Sequence, residues 1–184
     1  MAAILYYLDN QGFILWAGLA CALHELGHLM AIYGLGGRVA KLRLSVTGAE
    51  MALSAAHPLG PGAQLLAALS GPVTNLALAA LASNLAFKLG EGLYVFAGLN
   101  LSLAAFNLLP VAQLDGGRAV YYLVALLWSA RAAERAVRIC SQLTAIVLLV
   151  AGVALLWVTR ANFTLLVTAL WLTASIYLPQ GQKT

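Results

Sequence analysis

Three side chains that could do chemistry lie within five residues of one another in an apolar stretch. His24, Glu25 and His28 are the only acidic or basic residues between Phe13 and Tyr33. A helix of that length would span roughly 30 Å, about the thickness of a bilayer core, and His24 would lie roughly 16 Å inside it. Because ionisable groups at such depth are costly, they indicate a functional site.

The spacing of these residues indicates which chemistry they could perform. His24 and His28 are four residues apart, so both imidazoles leave the same face of a helix and can bind one metal ion. Glu25 can reach a water molecule at that metal without being a ligand. The pattern H-E-x-x-H is typical of zinc hydrolases that use the glutamate as general base. The alternative is a pair of helix-packing histidines, with Glu25 bound to one of them.

The composition is that of a membrane protein. Of the 184 residues, 62% are hydrophobic and 9% are charged, whereas soluble domains carry about 25% charged residues. The net charge of +4 comes from basic residues that lie mainly in loops, where they orient the chain in a lipid bilayer. This distribution does not indicate a nucleic-acid-binding surface. The cysteines, Cys21 and Cys140, are predicted to be small buried packing residues.

The predicted fold is an all-α polytopic membrane protein with about six transmembrane helices, a three-helix catalytic core and a short membrane-associated β-hairpin. We expect a single transmembrane domain over residues 1–184, with the core at about 13–130 and additional membrane helices at about 139–178. The predicted spans cover 13–34, 63–88, 92–109, 116–130, 139–159 and 162–178, and glycines at 34, 36 and 37 end the first of them.

In residues 38–54 the helical spacing of apolar residues gives way to an alternation of apolar with charged or polar residues. Leu42 and Leu44 alternate with charged and polar residues, which predicts a strand, and Thr47–Glu50 can form the turn of a hairpin. An open strand edge there could hold an extended substrate peptide by strand addition, with Leu42 and Leu44 as substrate-binding residues. The alternative is an ordinary basic loop.

A zinc site with two histidines needs a third protein ligand. Asp115, which follows an interrupted helix end at Pro110, is the only acid between Glu91 and Glu134 and is the best candidate. The alternative is that Asp115 only caps the helix that begins near Gly116. His57 and Cys21 are less favoured as ligands.

Two asparagines in the second predicted span, Asn75 and Asn84, are predicted to be buried. Asn75 lies one turn after Pro72, at which the helix is expected to kink. An interhelical hydrogen bond and a place in the substrate site are equally open interpretations of Asn75.

Three motifs in order give the chain a specific resemblance to a known family. They are H-E-L-G-H at 24–28, S-G-P-V-T-N at 70–75, and N-L-L-P at 107–110 followed by L-D-G-G at 114–117. The chain resembles the site-2 proteases, a family of intramembrane zinc metalloproteases. Its compact layout most resembles the bacterial branch that includes the sporulation protease acting on a membrane-tethered sigma-factor precursor.

The resemblance implies residue roles. His24, His28 and Asp115 would bind one catalytic Zn²⁺ per chain, Glu25 would be the general base, and Asn107 would position substrate or stabilise the oxyanion. Asn75 matches a polar position of the core with a less certain role. The activity implied is hydrolysis of a peptide bond in or near the transmembrane segment of a membrane-tethered substrate.

The resemblance also implies partners and a location. We expect a substrate with a single transmembrane helix, contact with the lipid bilayer, and room for a regulatory membrane protein in a bacterial cell membrane. No PDZ-like or CBS-like domain is expected, and no nucleic acid partner. A metal or ion transporter is one alternative, and a catalytically inactive family member acting as a binding module is another. Charged groups concentrated at one depth argue against a transport path.

Overall fold

Six helices and one two-stranded antiparallel sheet form the part of the chain that the computed structural model describes, residues 12–45, 48–161 and 163–177. The predicted mainly helical fold with a β-hairpin is therefore confirmed. The elements in chain order are α1 Phe13–Gly34, β1 Val39–Ser45, β2 Gly48–Leu53, α2 Pro61–Leu89, α3 Gly92–Asn107, α4 Asp115–Leu127, α5 Ala130–Thr159 and α6 Thr164–Tyr177.

Local chemistry explains where the helices begin and end. α1 ends as predicted, because Gly36 takes a φ of 84° and the N–H of Gly37 donates to the carbonyl of Ile32 at 2.9 Å. α5 begins earlier than predicted, because the Ser129 hydroxyl caps it by accepting from the N–H of Ala132 at 3.2 Å. The basic stretch from Arg131 onward therefore belongs to α5 and is not a loop.

The hairpin lies within the predicted range 38–54, but its second strand begins earlier than predicted. β1 and β2 are antiparallel, with Leu42 opposite Met51 and Leu44 opposite Ala49, and the pairing is irregular near Val39. β2 already begins at Gly48, so the predicted turn at 47–50 is wrong for residues 48–50, which pair with β1. The remaining predicted positions, 46 and 47, lie outside the described residues.

Three of the described helices are long and apolar enough to cross a membrane, namely α1, α2 and α5. α3 and α6 are shorter apolar helices, and α4 has 13 residues. At about 1.5 Å per residue, a helix of this shorter kind covers about 20–24 Å, less than a bilayer core of about 30 Å. The predicted number of about six transmembrane helices is therefore not confirmed.

The first of two compact units ends at Leu108 and contains α1, α2, α3 and the sheet. α2 packs against both α1 and α3, and α1 also contacts α3. Small residues such as Ala20 and Ala82 line this contact beside the buried Phe96 ring, so the helix backbones can approach closely. A second cluster around Ile32 and Leu59 seats the sheet against α1 and α2.

The second unit begins at Leu109 and contains α4, α5 and α6, with α5 packed against both other helices. The segment before α4 is tied to these helices by two hydrogen bonds. The N–H of Ala112 donates to the Ser141 hydroxyl at 3.0 Å, and the Gln113 amide donates to the carbonyl of Ser175 at 2.7 Å. These bonds fix the backbone that leads into Asp115.

Candidate metal centre

The two histidines of the H-E-x-x-H pattern face each other on the buried side of α1. His24 is 5% exposed and His28 is 9% exposed. Their rings meet edge to face at an interplanar angle of 82°, and the two Nε2 atoms are 3.1 Å apart. The spacing of one helical turn thus brings one nitrogen of each ring to a common point, as the sequence predicts.

The other nitrogen of each ring is held by α2. The Nδ1 atom of His28 is 2.7 Å from the carbonyl oxygen of Ala67. A carbonyl can only accept, so this Nδ1 carries the proton and the Nε2 atom presents its lone pair. The Nδ1 atom of His24 is hydrogen-bonded to Oδ1 of Asn75, which places its proton in the same way. An acceptor behind each ring is the usual support of a metal-binding histidine.

This donor arrangement fits a zinc ion. Two ligand nitrogens at about 2.0–2.1 Å from a tetrahedral zinc would be about 3.3 Å apart. The observed separation of the two Nε2 atoms, 3.1 Å, is close to that value. A cation placed between the two nitrogens would be attracted by both of them.

Gly71 of α2 makes room for the His28 ring. A Cβ atom added at this position would lie 2.3 Å from Nε2 of His28 and under 3 Å from two further ring atoms. Any other residue would therefore push the ring away from its place beside His24. The S-G-P-V-T-N motif thus supplies space for His28 through Gly71 and a partner for His24 through Asn75.

Asn75 occupies the centre of a buried polar cluster that joins three helices. It is fully buried, and its amide nitrogen donates to Oδ1 of Asn100 at 2.6 Å and to the carbonyl of Ala20 at 3.3 Å. The observed contacts are those of the interhelical interpretation. A substrate role for Asn75 stays a prediction.

Asn100 is the residue in this cluster that the sequence analysis missed. It is fully buried on α3, and its amide donates to the carbonyl of Phe96 at 2.8 Å. The available signal was an uncharged polar residue in the middle of an apolar span, seven residues and so about two turns before Asn107.

The candidate third ligand, Asp115, belongs to the second unit. It is buried and is the first residue of α4, whose N-cap is Leu114. The alternative that Asp115 is the N-cap of this helix is therefore wrong. A carboxylate in the first turn is favoured by the helix dipole. Its role as a metal ligand stays a prediction.

Glu25 and Asn107 lie in the first unit. Glu25 is partly buried and follows His24 on α1, where it points about 100° around the helix from that histidine. The side-chain amide of Asn107 donates to the carbonyl of Leu103, one turn earlier in α3, at 3.1 Å. The catalytic roles of both residues stay predictions.

The remaining candidates differ in their exposure and in the elements that carry them. His57 is exposed in the loop before α2. Asn84 is exposed and bonds only locally, to the carbonyl of Ala80, so its predicted burial is wrong. Asn84 follows Asn75 by nine residues, or two and a half turns, and therefore lies on the opposite face of α2.

Cys21 is also exposed, contrary to prediction, while Cys140 is partly buried. Leu42 and Leu44 lie on β1.

Comparison with known proteins supports the resemblance to the site-2 proteases. Residues 69–151 match the model of Peptidase family M50, a range that begins after the H-E-x-x-H residues. A protein named "Putative zinc metalloprotease Rip3", from two Mycobacterium tuberculosis strains, is 34% identical over 166 residues, which are 83% of this chain and 41% of Rip3. The chain thus spans about two fifths of the length of these curated relatives.

The structure is similar to the site-2 protease from Methanocaldococcus jannaschii. The TM-score is 0.67 at 20% sequence identity, and the match covers 88% of this chain and 74% of that protein. The fold is therefore that of a site-2 protease. Together with the M50 match and the similarity to Rip3, it confirms the resemblance to the site-2 protease family that the three motifs predict. The sporulation-protease branch stays a prediction.

Proposed function

We propose that this chain is an intramembrane zinc metalloprotease that hydrolyses a peptide bond in or near the transmembrane segment of a membrane-tethered protein. One observation carries the proposal. Two buried histidines of an apolar helix, His24 and His28, aim their Nε2 atoms at a common point while both Nδ1 atoms are held by acceptors. Helix packing alone does not require two ring nitrogens to face each other at 3.1 Å.

The proposed ligand set is His24, His28 and Asp115. Two imidazoles and one carboxylate leave a fourth position open, which is typical of catalytic zinc sites. Asp115 is supported by its burial, by the hydrogen-bonded segment that leads into it, and by the family resemblance. When bound, zinc supplies a Lewis acid that polarises a peptide carbonyl and lowers the pKa of water.

Proton transfer and oxyanion stabilisation are then assigned to two further residues of this chain. Glu25 takes a proton from the attacking water and delivers it to the leaving amine, which a partly buried carboxylate beside the ligands can do. Asn107 donates an amide N–H to the developing oxyanion. For this, its side chain exchanges its bond to the Leu103 carbonyl for a bond to substrate.

The hairpin is proposed as the substrate-holding element. A helical substrate hides its carbonyls in backbone hydrogen bonds, so it must unwind locally, and β1 near Leu42 and Leu44 offers a strand to which the unwound segment can pair. Successive N–H groups of a strand point to opposite sides. Leu44→Pro and Arg43→Pro therefore remove donors from opposite edges of β1. Only the variant that alters the open edge should reduce cleavage while leaving the hairpin and the metal in place.

The proposed setting is a bacterial cell membrane, and three of the described helices are long and apolar enough to cross it. The substrate class is a protein with one transmembrane helix, and a regulatory membrane protein remains an expected partner. The deciding experiment has two parts. Zinc is measured by elemental analysis in the native protein and in His24→Ala and Asp115→Ala variants. Cleavage of a single-span substrate in proteoliposomes is then compared with that by Glu25→Gln.

About one zinc per chain that is lost from both ligand variants supports the three-ligand site, and cleavage by the native protein alone supports the protease. Zinc retained in Asp115→Ala would mean that another residue is the third ligand. Absence of both zinc and cleavage in the folded native protein would refute the proposal. Zinc flux across vesicles without cleavage would instead favour the transporter alternative.

A further inference from the structure

The hydrogen bonds behind His24 form a chain in which each donor and acceptor can be assigned, beginning on α3. The carbonyl of Phe96 can only accept a hydrogen bond, so the Asn100 atom that faces it at 2.8 Å is the amide nitrogen. The oxygen of Asn100 is then turned toward α2. There it lies 2.6 Å from Asn75, which must present its own amide nitrogen.

The same assignment of donors and acceptors extends to His24. Because the nitrogen of Asn75 is turned toward Asn100 and the Ala20 carbonyl, its oxygen faces Nδ1 of His24. An oxygen acceptor requires a proton on that Nδ1, so in the neutral imidazole the lone pair is on Nε2. The carbonyl of Phe96 thus acts through two amides, together with the Ala20 carbonyl, on the tautomer of a residue on another helix.

We propose that Asn100 is a positioning residue, which fixes the orientation of Asn75 and through it the metal-binding tautomer of His24. The inference rests on the proposed zinc role of His24. The two asparagines are fully buried, so bulk water does not compete with their hydrogen bonds to each other. The second anchor of Asn75, the Ala20 carbonyl at 3.3 Å, is longer than the Asn100 contact at 2.6 Å, so we expect it to orient the amide less strongly.

The first test measures the tautomer of His24 in the metal-free protein, by nuclear magnetic resonance of isotope-labelled histidine. The native protein should show the Nδ1–H form at His24, assigned by its loss in His24→Ala. Asn100→Leu should show a mixture of both tautomers, because Asn75 can then turn either end toward the ring. An unchanged Nδ1–H form in folded Asn100→Leu would overturn the proposal.

The second test measures zinc affinity with a competing chelator. Loss of a group that orients a ligand typically costs about 10- to 100-fold in metal affinity, which we expect for Asn100→Leu and Asn75→Leu alike. Because Asn100 acts through Asn75, the double variant should match Asn75→Leu within about twofold. Additive losses would overturn the proposal. Asn84→Leu is the matched control on the exposed face of α2, and it should bind zinc like the native protein.

A rescue variant separates positioning from packing. In Asn75→Asp both carboxylate oxygens accept, so His24 keeps its Nδ1 proton whichever way the group is turned. Asn75→Asp combined with Asn100→Leu should therefore regain the native tautomer and zinc affinity. This double variant also tests whether Asn100 acts by positioning Asn75 if Asn100→Leu alone does not fold. A folded double variant without this recovery would overturn the proposal. If the native protein binds no zinc, the proposed function fails, whereas the tautomer measurement still decides the role of Asn100.

Discussion

Replacing Gly71 by alanine should move one proposed zinc ligand by a defined amount. The added Cβ would lie 2.3 Å from Nε2 of His28, and an ordinary contact begins at 3.4 Å, so the ring must move by about 1 Å. Zinc–nitrogen bonds tolerate changes of about 0.2 Å. A misplacement of about 1 Å in a catalytic site can cost about 100-fold, and we expect losses of this size in both zinc affinity and cleavage rate.

The fold itself should tolerate the substitution, because alanine is favoured over glycine in a helix by up to about 1 kcal/mol. Gly98→Ala in α3 is the matched control, since its Cβ would meet nothing within 4 Å. Zinc affinity is measured by chelator competition and cleavage in proteoliposomes, with thermal unfolding as the check on folding. If Gly71→Ala binds zinc and cleaves substrate like the native protein, the geometry inferred for His28 is refuted.

Four further substitutions test the remaining parts of the proposal. Glu25→Gln should keep its zinc by elemental analysis but lose about 100- to 10,000-fold in cleavage rate, and a parallel loss of zinc would contradict a purely acid–base role. Asp115→Ala should lose zinc while its helix content by circular dichroism stays native. Gly117→Ala should lower the stability of the second unit by about 1–3 kcal/mol in denaturant unfolding, because its Cβ would lie 2.0 Å from the Val111 carbonyl oxygen; an unchanged midpoint would show that this turn can yield. One of the two variants Leu44→Pro and Arg43→Pro should reduce the cleavage rate while the protein keeps its zinc. If both variants cleave substrate like the native protein, the proposal that β1 binds substrate is refuted.

Local rules predicted much of the fold. The apolar stretch that carries H-E-x-x-H became α1 with the predicted bounds, since its composition favours one membrane-spanning helix and glycine ends it. The alternation after it became a strand. The prediction was wrong at the start of α5, which begins at Ala130 and not near residue 139, because the Ser129 hydroxyl caps the helix and the basic residues that follow belong to it.

Side-chain environments were harder to predict than elements. Asn75 and Asn84 are the same residue type on the same helix, and the sequence predicts burial for both. The structure buries only Asn75, because α1 and α3 pack on one face of α2 and Asn84 lies on the other. Which face is covered depends on the neighbouring helices, so no pattern within α2 itself could distinguish the two.

The sequence by itself determined the chemistry available to this protein. The i, i+4 spacing of His24 and His28 puts two imidazoles on one helix face, whatever the rest of the chain does. Only the tertiary structure decided which nitrogen of each ring is turned away from the acceptors on α2. That choice comes from acceptors on other elements, the Ala67 carbonyl behind His28 and Asn75 behind His24, which are 39 and 51 residues away in the chain. A tautomer is set by the hydrogen bond that the second ring nitrogen makes, and such a bond exists only once the helices have packed.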